Sequence, residues 1–547
     1  MIDLLGYQYV VPTRQKNEHS PRLNSYGIFR DSRSNILLFD EGIPMRRVII
    51  FDTTLRDGDQ AAGFAFDRKT KPVLAVALAK AGVDIIEAGF PLSSQADFKA
   101  CCDIVSVLKD FPVQAAVICR GKINDIRKTA AVLDETGILH VTLPVSDAHL
   151  AAFLNISRTQ LIERAVKMVS FASGLVSSVE IGAEDATRSD PDFLCEYCHA
   201  VIDAGASVVN IADTTGLFTP PQIISLVTLL RRQVSGFSSG QARLSIHCHN
   251  DAGLAVANTL AAIEAGCDQI EATVGGLGER SGNAALEEVA ANLFVHPEIY
   301  NVSTGLHAEY LGGLADYFYC VTGISPGPMK PLTGWNVCAH ASGLHQKGLV
   351  HSANNYLPET ARICNAVPER IVLSRHSGKA GVHLIAEQLG LTQPDNTVTE
   401  QLLNHIKESG LRTFGVTEFL KLAFEYDLLP VDFPQPISCN RFSEYRTDEH
   451  CRVTGIVSTA VDKEQTITGE GLTVESAVLD AVKNMSGLSI QLTKTELIGK
   501  EGQFHLYAEM LVDNRTVITA VRFGFHPSRL LFECCLDAVN QVQRKSK

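Results

Sequence analysis

Two histidines and an arginine–aspartate pair are the residues of this sequence best suited to chemistry. His247 and His249 alternate along an apolar, β-branched run at 243–250, and Arg56 and Asp57 follow the apolar run 48–52. Side chains at positions i and i+2 of a strand lie on the same face, so the two imidazoles would converge on a point where a divalent metal could bind. A carboxylate, two imidazoles and a guanidinium at strand ends predict a site that polarises a carbonyl group.

Each of these motifs also has a purely structural alternative. Buried histidines commonly hydrogen-bond to the backbone, and the Asp57-Gly58 pair is typical of a simple turn. Arg56 could form a salt bridge with Glu87 or with another carboxylate of the same sheet. The two motifs lie far apart in the sequence, however, and both stand at the end of a predicted strand, which favours one shared site.

Short apolar runs alternate with amphipathic helical patterns from residue 48 to about residue 290. We predict eight strands, at 48–52, 84–89, 114–120, 140–146, 178–183, 207–213, 243–250 and 269–276. This α/β pattern favours a parallel (β/α)8 TIM barrel over an open doubly wound sheet. Polar residues lie at or just after the predicted C-terminal strand ends, the face that carries chemistry in barrel enzymes: Arg56, Asp57, Glu87, Glu184, Thr214, His247, His249 and Asn283.

The rest of the chain divides into four predicted regions around this barrel. Residues 1–46 form an N-terminal extension, 47–325 the catalytic barrel, 326–430 helical subdomains, and 441–547 an α+β module. A proline-rich stretch at 428–440 reads as a linker, and the module shows two β-then-α units. Within it, we interpret 469–471 as a turn ahead of a helix, where the helix N-terminus could receive a carboxylate.

Composition excludes several classes of function. The chain has 547 residues, 45% of them hydrophobic and 20% charged, which is ordinary for a globular protein. A net charge of −13 argues against nucleic-acid binding, and no apolar run is long enough for a membrane span. The first residues do not resemble a secretory signal, and fourteen scattered cysteines suggest a reducing cytoplasm. Cys195 and Cys198, a lone C-x-x-C, are interpreted as helix packing rather than a metal site.

Seven segments in a fixed order resemble one enzyme family. They are DTTLRDGDQ, IEAGFPLSSQADF, AEDATRSD, ADTTGLFTP, HCHNDAGLAVAN, GGLGERSGNAALEEV and AHASGLHQKG, all between residues 50 and 350. The sequence is similar to the acyl-CoA-condensing, metal-dependent TIM-barrel enzymes, a family that contains 2-isopropylmalate, homocitrate, citramalate and Re-type citrate synthases. The resemblance implies a Claisen-type condensation of acetyl-CoA with a 2-oxo acid. IEAGFPLSSQADF favours the 2-isopropylmalate synthase pattern, and hence 2-oxoisovalerate, over the homocitrate synthase pattern.

The resemblance also implies a metal site. Asp57, His247 and His249 would hold Mg²⁺, Mn²⁺ or Zn²⁺, a cation that draws charge from a keto oxygen. Asn283 would lie at or near the metal, although it could instead cap the helix that follows it. Arg56 would stabilise the developing alkoxide, because a guanidinium keeps its proton.

Further roles follow from the same comparison. Glu184 resembles the family's catalytic glutamate, and Thr214 a residue that contacts the 2-oxo acid carboxylate, although its hydroxyl could bond its own loop. Gln60 and Glu87 are expected to bind substrate. The glycines of GGLGERSG do not match a dinucleotide fingerprint and are expected to shape the loop after the eighth strand, where coenzyme A could enter.

The proton-transfer groups are expected outside the barrel. His345 suits proton transfer near neutrality, and Tyr356 is similar to a tyrosine that acts with it. In the family these residues serve the partner subunit's site, which implies a homodimer. His345 could instead cap a helix, and His340 is a rival.

Several alternatives stay open at the level of sequence. Ala341 and Lys347 depart from the usual pattern of 2-isopropylmalate synthases, so pyruvate, 2-oxoglutarate or oxaloacetate could replace 2-oxoisovalerate. A metal-dependent retro-aldol lyase and a catalytically inactive sensor barrel are the other possibilities. The C-terminal module would bind an amino-acid effector, leucine by resemblance, or serve only in dimerisation.

Overall fold

The structure is a computed structural model. It describes residues 45–63, 65–324, 326–334, 336–352, 355–364, 370–389 and 391–409, single residues between 419 and 428, and then 437–447, 450–459, 465–500, 503–512, 516–524 and 527–545. The predicted N-terminal extension therefore lies outside the described residues except for Met45 and Arg46. Arg46 begins a two-residue strand, β1 (Arg46–Arg47), which pairs in parallel with β10 (Val302–Ser303).

Eight parallel strands close into a barrel in sequence order, which confirms the predicted fold class. They are β2 (Ile49–Asp52), β3 (Ile85–Glu87), β4 (Gln114–Arg120), β5 (Ile138–Pro144), β6 (Ser178–Glu184), β7 (Val208–Asp213), β8 (Arg243–Cys248) and β9 (Gln269–Ala272). The last strand pairs with the first, from Ile49 opposite Gln269 to Asp52 opposite Ala272. Two strands end earlier than predicted. The strand predicted at 84–89 leaves the sheet after Glu87. The strand predicted at 269–276 ends at Ala272, because a short 3₁₀ segment forms at Val274–Gly276.

Helices follow the strands and pack around them. In the barrel region they are α1 (Thr70–Lys80), α2 (Gln95–Leu108), α3 (Ile123–Ala130), α4 (Asp147–His149), α5 (Arg158–Ser173), α6 (Pro191–Asp203), α7 (Pro220–Gln233), α8 (Ser235–Ser238), α9 (Ala255–Glu264), α10 (Leu286–Val295), α11 (Pro297–Tyr300) and α12 (Ala308–Thr322). Cys195 and Cys198 are both buried in α6, as their interpretation as helix packing requires.

Alternation along the strands separates an apolar outer layer from a polar interior. In β8, Leu244 and Ile246 belong to the large apolar core shared with the helices. The alternate residues, Ser245 and His247, are buried and polar. Side chains of one strand alternate between its two faces, so the second set points toward the barrel axis. The same pattern recurs in β9, where Gln269 and Glu271 are buried and polar. The barrel interior is thus unusually rich in polar groups.

The region after the barrel has its own apolar core. It contains α13 (Gly343–His351), α14 (Glu359–Ile363), α15 (Lys379–Gln388) and α16 (Asn396–Glu408), with the short parallel pair β11 (Ala339–His340) and β12 (Arg370–Ile371). Leu373, Val382, Leu402 and Phe419 are among the buried residues of this core.

The C-terminal region contains the two predicted β-then-α units. The first is the antiparallel sheet β13 (Ile437–Arg446), β14 (Cys451–Thr459) and β15 (Gln465–Gly471), followed by α17 (Val474–Ser486). The second is β16 (Ile490–Lys500), β17 (Gln503–Val512) and β18 (Thr516–Gly524), followed by α18 (Pro527–Lys545). The first strand begins at Ile437, inside the stretch interpreted as a linker, while residues 429–436 of that stretch lie outside the described part.

The interpretation of 469–471 as a carboxylate-binding turn is wrong. These residues belong to strand β15, and the side chain of Thr473 already caps the N-terminus of α17. A Cβ on Gly469 would lie 2.1 Å from the backbone oxygen of Ala477, so the glycine permits close packing of strand against helix. Glu475 in the first helical turn adds a negative charge that opposes anion binding.

Two further observations bear on the sequence-based expectations. Among the described residues, no helix combines the length and apolar character needed to cross a membrane. Thirteen cysteines in the described part of the chain are thiols that form no disulfide bond, and most of them are buried.

Candidate active site

A cavity of about 360 Å³ lies at the C-terminal ends of the barrel strands. Its lining brings together most of the predicted site residues, which come from β2, β6, β7 and β8 and the loops that follow them: Arg56, Asp57, Gln60, Glu184, Thr214, His247 and His249. The interior positions of β5, β7 and β9 add His140, Asn210 and Glu271 to the wall. The structure therefore brings the predicted barrel residues together at one cavity.

His247, near the end of β8, and His249, just after that strand, face each other across a short gap. Their Nε2 atoms lie 3.2 Å apart, and both side chains are buried. The Nδ1 of His247 lies 2.8 Å from a carboxylate oxygen of Glu271, and the Nδ1 of His249 lies 3.3 Å from the carbonyl oxygen of Gly282. When both imidazoles are neutral, each Nδ1 donates to its acceptor and each Nε2 presents a lone pair. Two lone pairs at this distance repel each other unless a cation lies between them.

A tight turn after β2 places Asp57 beside this pair. The carboxylate of Asp52 accepts hydrogen bonds from the backbone and the hydroxyl of Thr54, and the carbonyl of Thr53 accepts from the backbone N–H groups of Arg56 and Asp57. Oδ2 of Asp57 lies 3.9 Å from Nε2 of His247. Burial alone would raise the pKa of Asp57, but the charge of Arg56, helped by the hydrogen bond from Asn283, outweighs it and holds that pKa below its ordinary value.

Asn283 lies against Asp57 and does not cap a helix. Its Nδ2 donates to Oδ1 of Asp57 and to the carbonyl of Leu277, both at 2.9 Å. The following helix, α10, begins at Leu286 with Ala285 as its N-cap residue. Both hydrogen atoms of the amide are used, and the remaining polar atom, Oδ1, is buried and has no hydrogen-bond partner among the described residues. The helix-cap alternative is thus excluded.

Glycine 278 explains how the loop GGLGERSG comes so close to these residues. A Cβ at this position would lie 2.1 Å from Nδ2 of Asn283 and 2.7 Å from Oδ1 of Asp57. The backbone N–H of Glu279 also donates to Asp57, at 3.2 Å. The glycines of this loop therefore close one side of the metal site.

These contacts fit a bound divalent cation. One atom each from Asp57, His247 and His249 lie within 4.8 Å of one another, and all three residues are buried. The donor set of one carboxylate and two imidazoles suits Mg²⁺, Mn²⁺ or Zn²⁺. The unpartnered Oδ1 of Asn283 is a further oxygen donor beside them. The predicted ligands are thus consistent in geometry and chemistry with a metal centre.

Arg56 combines the predicted cavity position with the predicted salt bridge. Its Nε donates to Oε2 of Glu87 at 2.5 Å and its NH1 to Oδ2 of Asp57 at 2.7 Å, while NH2 lies 3.7 Å from Glu271. Burial would lower its pKa, but these three carboxylates raise it above the ordinary value. Arg56 is therefore a permanent, rigidly held positive charge at the cavity wall.

Glu87 occupies a different place from the predicted substrate contact. It is fully buried, and it does not line the cavity. Its oxygens bind Arg56, the hydroxyl of Thr53 at 2.6 Å and Nδ1 of His140 at 2.9 Å. Burial would raise its pKa, but Arg56 and His140 lower it to about 2. The structure assigns this carboxylate to holding Arg56 and His140 rather than to a substrate.

Glu184 ends β6 at the rim of the cavity. Its side chain is 37% exposed, and Oε1 lies 3.4 Å from Nδ1 of His149. Burial raises its pKa, and the charge of His149 only partly offsets that effect. A carboxyl group with a raised pKa in a cavity is suited to proton transfer.

Thr214 supports the next loop and keeps a free donor. Its hydroxyl oxygen accepts a hydrogen bond from the backbone N–H of Asp185 at 2.8 Å. Asp185 adopts a left-handed backbone conformation with φ of 63°, and the contact stabilises that turn. Since a hydroxyl both donates and accepts, the hydrogen of Thr214 remains available to a ligand. The predicted alternatives for Thr214 are compatible with each other.

His345 and Tyr356 form a pair away from this cavity. Their rings stack with centroids 4.1 Å apart and planes 17° from parallel, and neither residue lines the cavity. His345 is the third residue of α13, whose N-cap residue is Ser342, so it does not cap the helix. His340 lies beside it, at a ring distance of 6.0 Å.

Three residues of the cavity wall were not predicted from the sequence: His140, Asn210 and Glu271. Each occupies an interior position of a barrel strand and is buried. The sequence does mark these positions, because each is a polar residue within an apolar strand. Like His247, each lies on the face of its strand that points into the barrel. Alone, such interruptions are too common to mark a site.

The sequence matches two family patterns. Residues 47–316 match the HMGL-like family, and residues 332–413 match the homocitrate synthase post-HMGL domain-like family. Together they cover the barrel and much of the helical region after it.

Three relatives of the chain share the name 2-isopropylmalate synthase. The 2-isopropylmalate synthase of Pyrococcus abyssi is 42% identical over 376 residues, which is 68% of this chain and 76% of the relative. The 2-isopropylmalate synthase 1 of Caldanaerobacter subterraneus is 38% identical over 65% of this chain and 89% of the relative. The enzyme of Heliobacterium modesticaldum is 32% identical over 522 residues, 91% of this chain and 97% of the relative. The chain belongs to the 2-isopropylmalate synthase family.

Proposed function

We propose that this protein is an acyltransferase that condenses acetyl-CoA with 2-oxoisovalerate, giving 2-isopropylmalate and coenzyme A in leucine biosynthesis. The observation that carries the proposal is that Arg56, Asp57, His247 and His249 line one cavity. The relatives of the chain that carry the name 2-isopropylmalate synthase support the same reaction. The family is metal-dependent and uses acetyl-CoA. The free thiols fit a cytoplasmic location.

The proposed metal is Mg²⁺ or Mn²⁺, with Zn²⁺ as the alternative, held by Asp57, His247, His249 and Asn283. When bound, it would polarise the keto group of the 2-oxo acid and orient its two oxygens. The pocket residues would orient the rest of that substrate. Thr214 can donate its free hydroxyl hydrogen to the carboxylate, and Gln60 lines the same cavity.

Arg56 would stabilise the charge that develops on the keto oxygen. Attack by the acetyl methyl carbon converts the keto oxygen into an alkoxide, and a guanidinium already fixed by Glu87 needs no reorganisation to meet it. Its proton is firmly held, so its contribution is electrostatic.

The proton steps require groups that can change charge. The methyl of acetyl-CoA gives up a proton, its carbon bonds to the keto carbon, and the alkoxide takes a proton. Water then cleaves the thioester, releasing a carboxylate and the thiol of coenzyme A. Glu184 is the candidate in the cavity, and His345 with Tyr356 are the candidates from outside it.

We propose that His345 and Tyr356 act in the partner subunit's site within a homodimer. Two observations support a shared site: neither residue lines its own barrel cavity, and Leu344 and Val350 on the same helix are 70% and 55% exposed. Exposed apolar side chains on a short helix are suited to a protein contact.

The C-terminal region is proposed as an effector domain that binds leucine. Its two β-then-α units have their own apolar core, in which Val453, Ala477 and Phe532 are buried. The finding that 469–471 is a packed strand moves the proposed leucine site away from the N-terminus of α17. Dimerisation without an effector is the alternative.

The first prediction tests the reaction itself. With acetyl-CoA, the enzyme should release free thiol with 2-oxoisovalerate in preference to pyruvate, 2-oxoglutarate and oxaloacetate, as measured with a thiol reagent. A chelator should abolish the release, and Mg²⁺ or Mn²⁺ should restore it. Asp57→Asn is the matched inactive control. Release with a different acid would reassign the substrate, and no release with any of them would favour a retro-aldol lyase or a sensor.

The second prediction concerns Arg56→Lys. Lysine keeps the charge but cannot reach Glu87 and Asp57 with a planar fork, so kcat should fall by roughly 100-fold, the scale for loss of one preorganised oxyanion donor. Steady-state kinetics at saturating 2-oxo acid measures this. Arg243→Lys is the control, because Arg243 begins β8 at the opposite end of the barrel and does not line the cavity. Equal kcat values for both variants would remove Arg56 from the chemistry.

The third prediction tests the shared site. Asp57→Ala and His345→Ala chains, each inactive alone, should regain part of the activity when mixed and allowed to exchange subunits, since one site of each mixed dimer is intact. Mixing Asp57→Ala with the chain that carries both substitutions is the control and should stay inactive. If verified exchange restores nothing, His345 does not act in trans.

The fourth prediction concerns regulation. Leucine should inhibit the full-length enzyme and leave a shortened chain ending at residue 430 unaffected, because an effector must bind two states with different affinity. Isoleucine and lysine serve as control ligands in the same initial-rate titration. An equal response of both chains would contradict an effector role for the C-terminal region.

A further inference from the structure

Glu271 is a buried carboxylate for which the proposed reaction has no direct use. It lies on β9, one residue before the end of the strand, and is 1% exposed. Its side chain shares the barrel interior with His247 of the neighbouring strand, which pairs in parallel with β9. A carboxylate buried at this depth needs partners that offset its loss of hydration.

Both oxygens of Glu271 are engaged. Oε2 lies 2.8 Å from Nδ1 of His247 and 3.7 Å from NH2 of Arg56, while Oε1 accepts from Nδ2 of Asn210 at 2.5 Å. Contacts on both oxygens hold the carboxylate in one orientation, so His247 meets a fixed acceptor.

This acceptor decides which nitrogen of His247 carries the proton. A neutral imidazole has one N–H and one lone pair, and the carboxylate keeps the N–H at Nδ1. Nε2 is then left with its lone pair, directed toward Nε2 of His249 and Oδ2 of Asp57, at 3.2 and 3.9 Å. His249 uses the weaker carbonyl acceptor of Gly282 in the same way.

We infer that Glu271 is a positioning residue that fixes the tautomer and ring orientation of His247 and thereby sets the affinity of the site for its metal, with Asn210 holding Glu271 in place. The inference rests on the proposed metal site. Carboxylate partners of this kind raise the basicity of a ligand histidine, and their loss typically weakens metal binding by about 10- to 100-fold.

Glu271→Gln tests the inference with almost no change in volume. Glutamine offers one oxygen and one NH₂ group where Asn210 and His247 each need an acceptor, so one of the two must face a donor. Mn²⁺ titrated into the metal-free full-length enzyme, followed by calorimetry, should show a Kd raised by about 10- to 100-fold over the unsubstituted protein. Saturating Mn²⁺ should restore much of kcat, which a general disruption of the fold would not allow.

Glu180→Gln is the matched control. Glu180 is also fully buried on a barrel strand, and its oxygens accept from Gln269. Its Mn²⁺ affinity should equal that of the unsubstituted protein. Equal losses of Mn²⁺ affinity in both variants would overturn the inference. They would indicate that the ion binds instead at a second group, His140, Glu180 and Glu271, whose ligand atoms also lie within 4.8 Å of one another.

The remaining outcomes separate the inference from the proposed function. If the unsubstituted enzyme binds no Mn²⁺, the metal site itself fails and the inference fails with it. If it binds Mn²⁺ and Glu271→Gln binds it equally well, only the inference is overturned.

Should Glu271→Gln unfold, Asn210→Ala gives the second test. This substitution removes the hydrogen bond from Asn210 to Glu271 and should also weaken Mn²⁺ binding. Unchanged Mn²⁺ affinity in Asn210→Ala would count against the inference.

Discussion

The ion pair between Arg56 and Glu87 is the interaction on which the rest of the site depends. Glu87 is fully buried and the side chain of Arg56 is only 12% exposed, so either charge would be costly without the other. Removing one partner of a buried pair typically costs about 3–5 kcal/mol. The pair fixes the guanidinium at the cavity wall. The carboxylates of Asp57 and Glu271 also lie beside the guanidinium and help to neutralise its charge. Since Asp57 and Glu271 also reach the two histidines, the electrostatic site and the metal site are parts of a single network.

A closed barrel is what makes such a network possible. The strands bury apolar side chains such as Leu244 and Ile246 against the helices, which leaves alternate positions free for polar groups inside. Parallel strands bring all their C-terminal ends to one opening, so residues from distant sequence segments meet there. Gly278 then lets the last loop approach Asp57 and Asn283 more closely than any side chain would allow.

Much of this arrangement could be predicted from the sequence, and the failures have physical causes. Strand alternation placed His247 and His249 on one face, and the repeating pattern indicated a barrel. The sequence did not reveal Glu271 as the partner of His247, because a contact between side chains of two strands depends on the register between the strands. The polar position of Glu87 was recognised, but only contacts with Arg56 and His140 show that it supports other residues. The glycines at 469–471 were misinterpreted because sequence does not distinguish a glycine needed for a turn from one needed for close packing.

The partners of a carboxyl group decide whether it holds its charge or can move a proton. Glu87, with a pKa of about 2, and Arg56 are locked in their ionised forms by each other. Neither can exchange a proton near neutrality, so this pair supplies only a fixed field. Glu184 stands at the rim, where partial burial raises its pKa without a strong ion pair to lower it again. Glu184 is therefore suited to proton transfer at the rim, and in the proposed reaction the partner subunit would supply the remaining groups, such as His345.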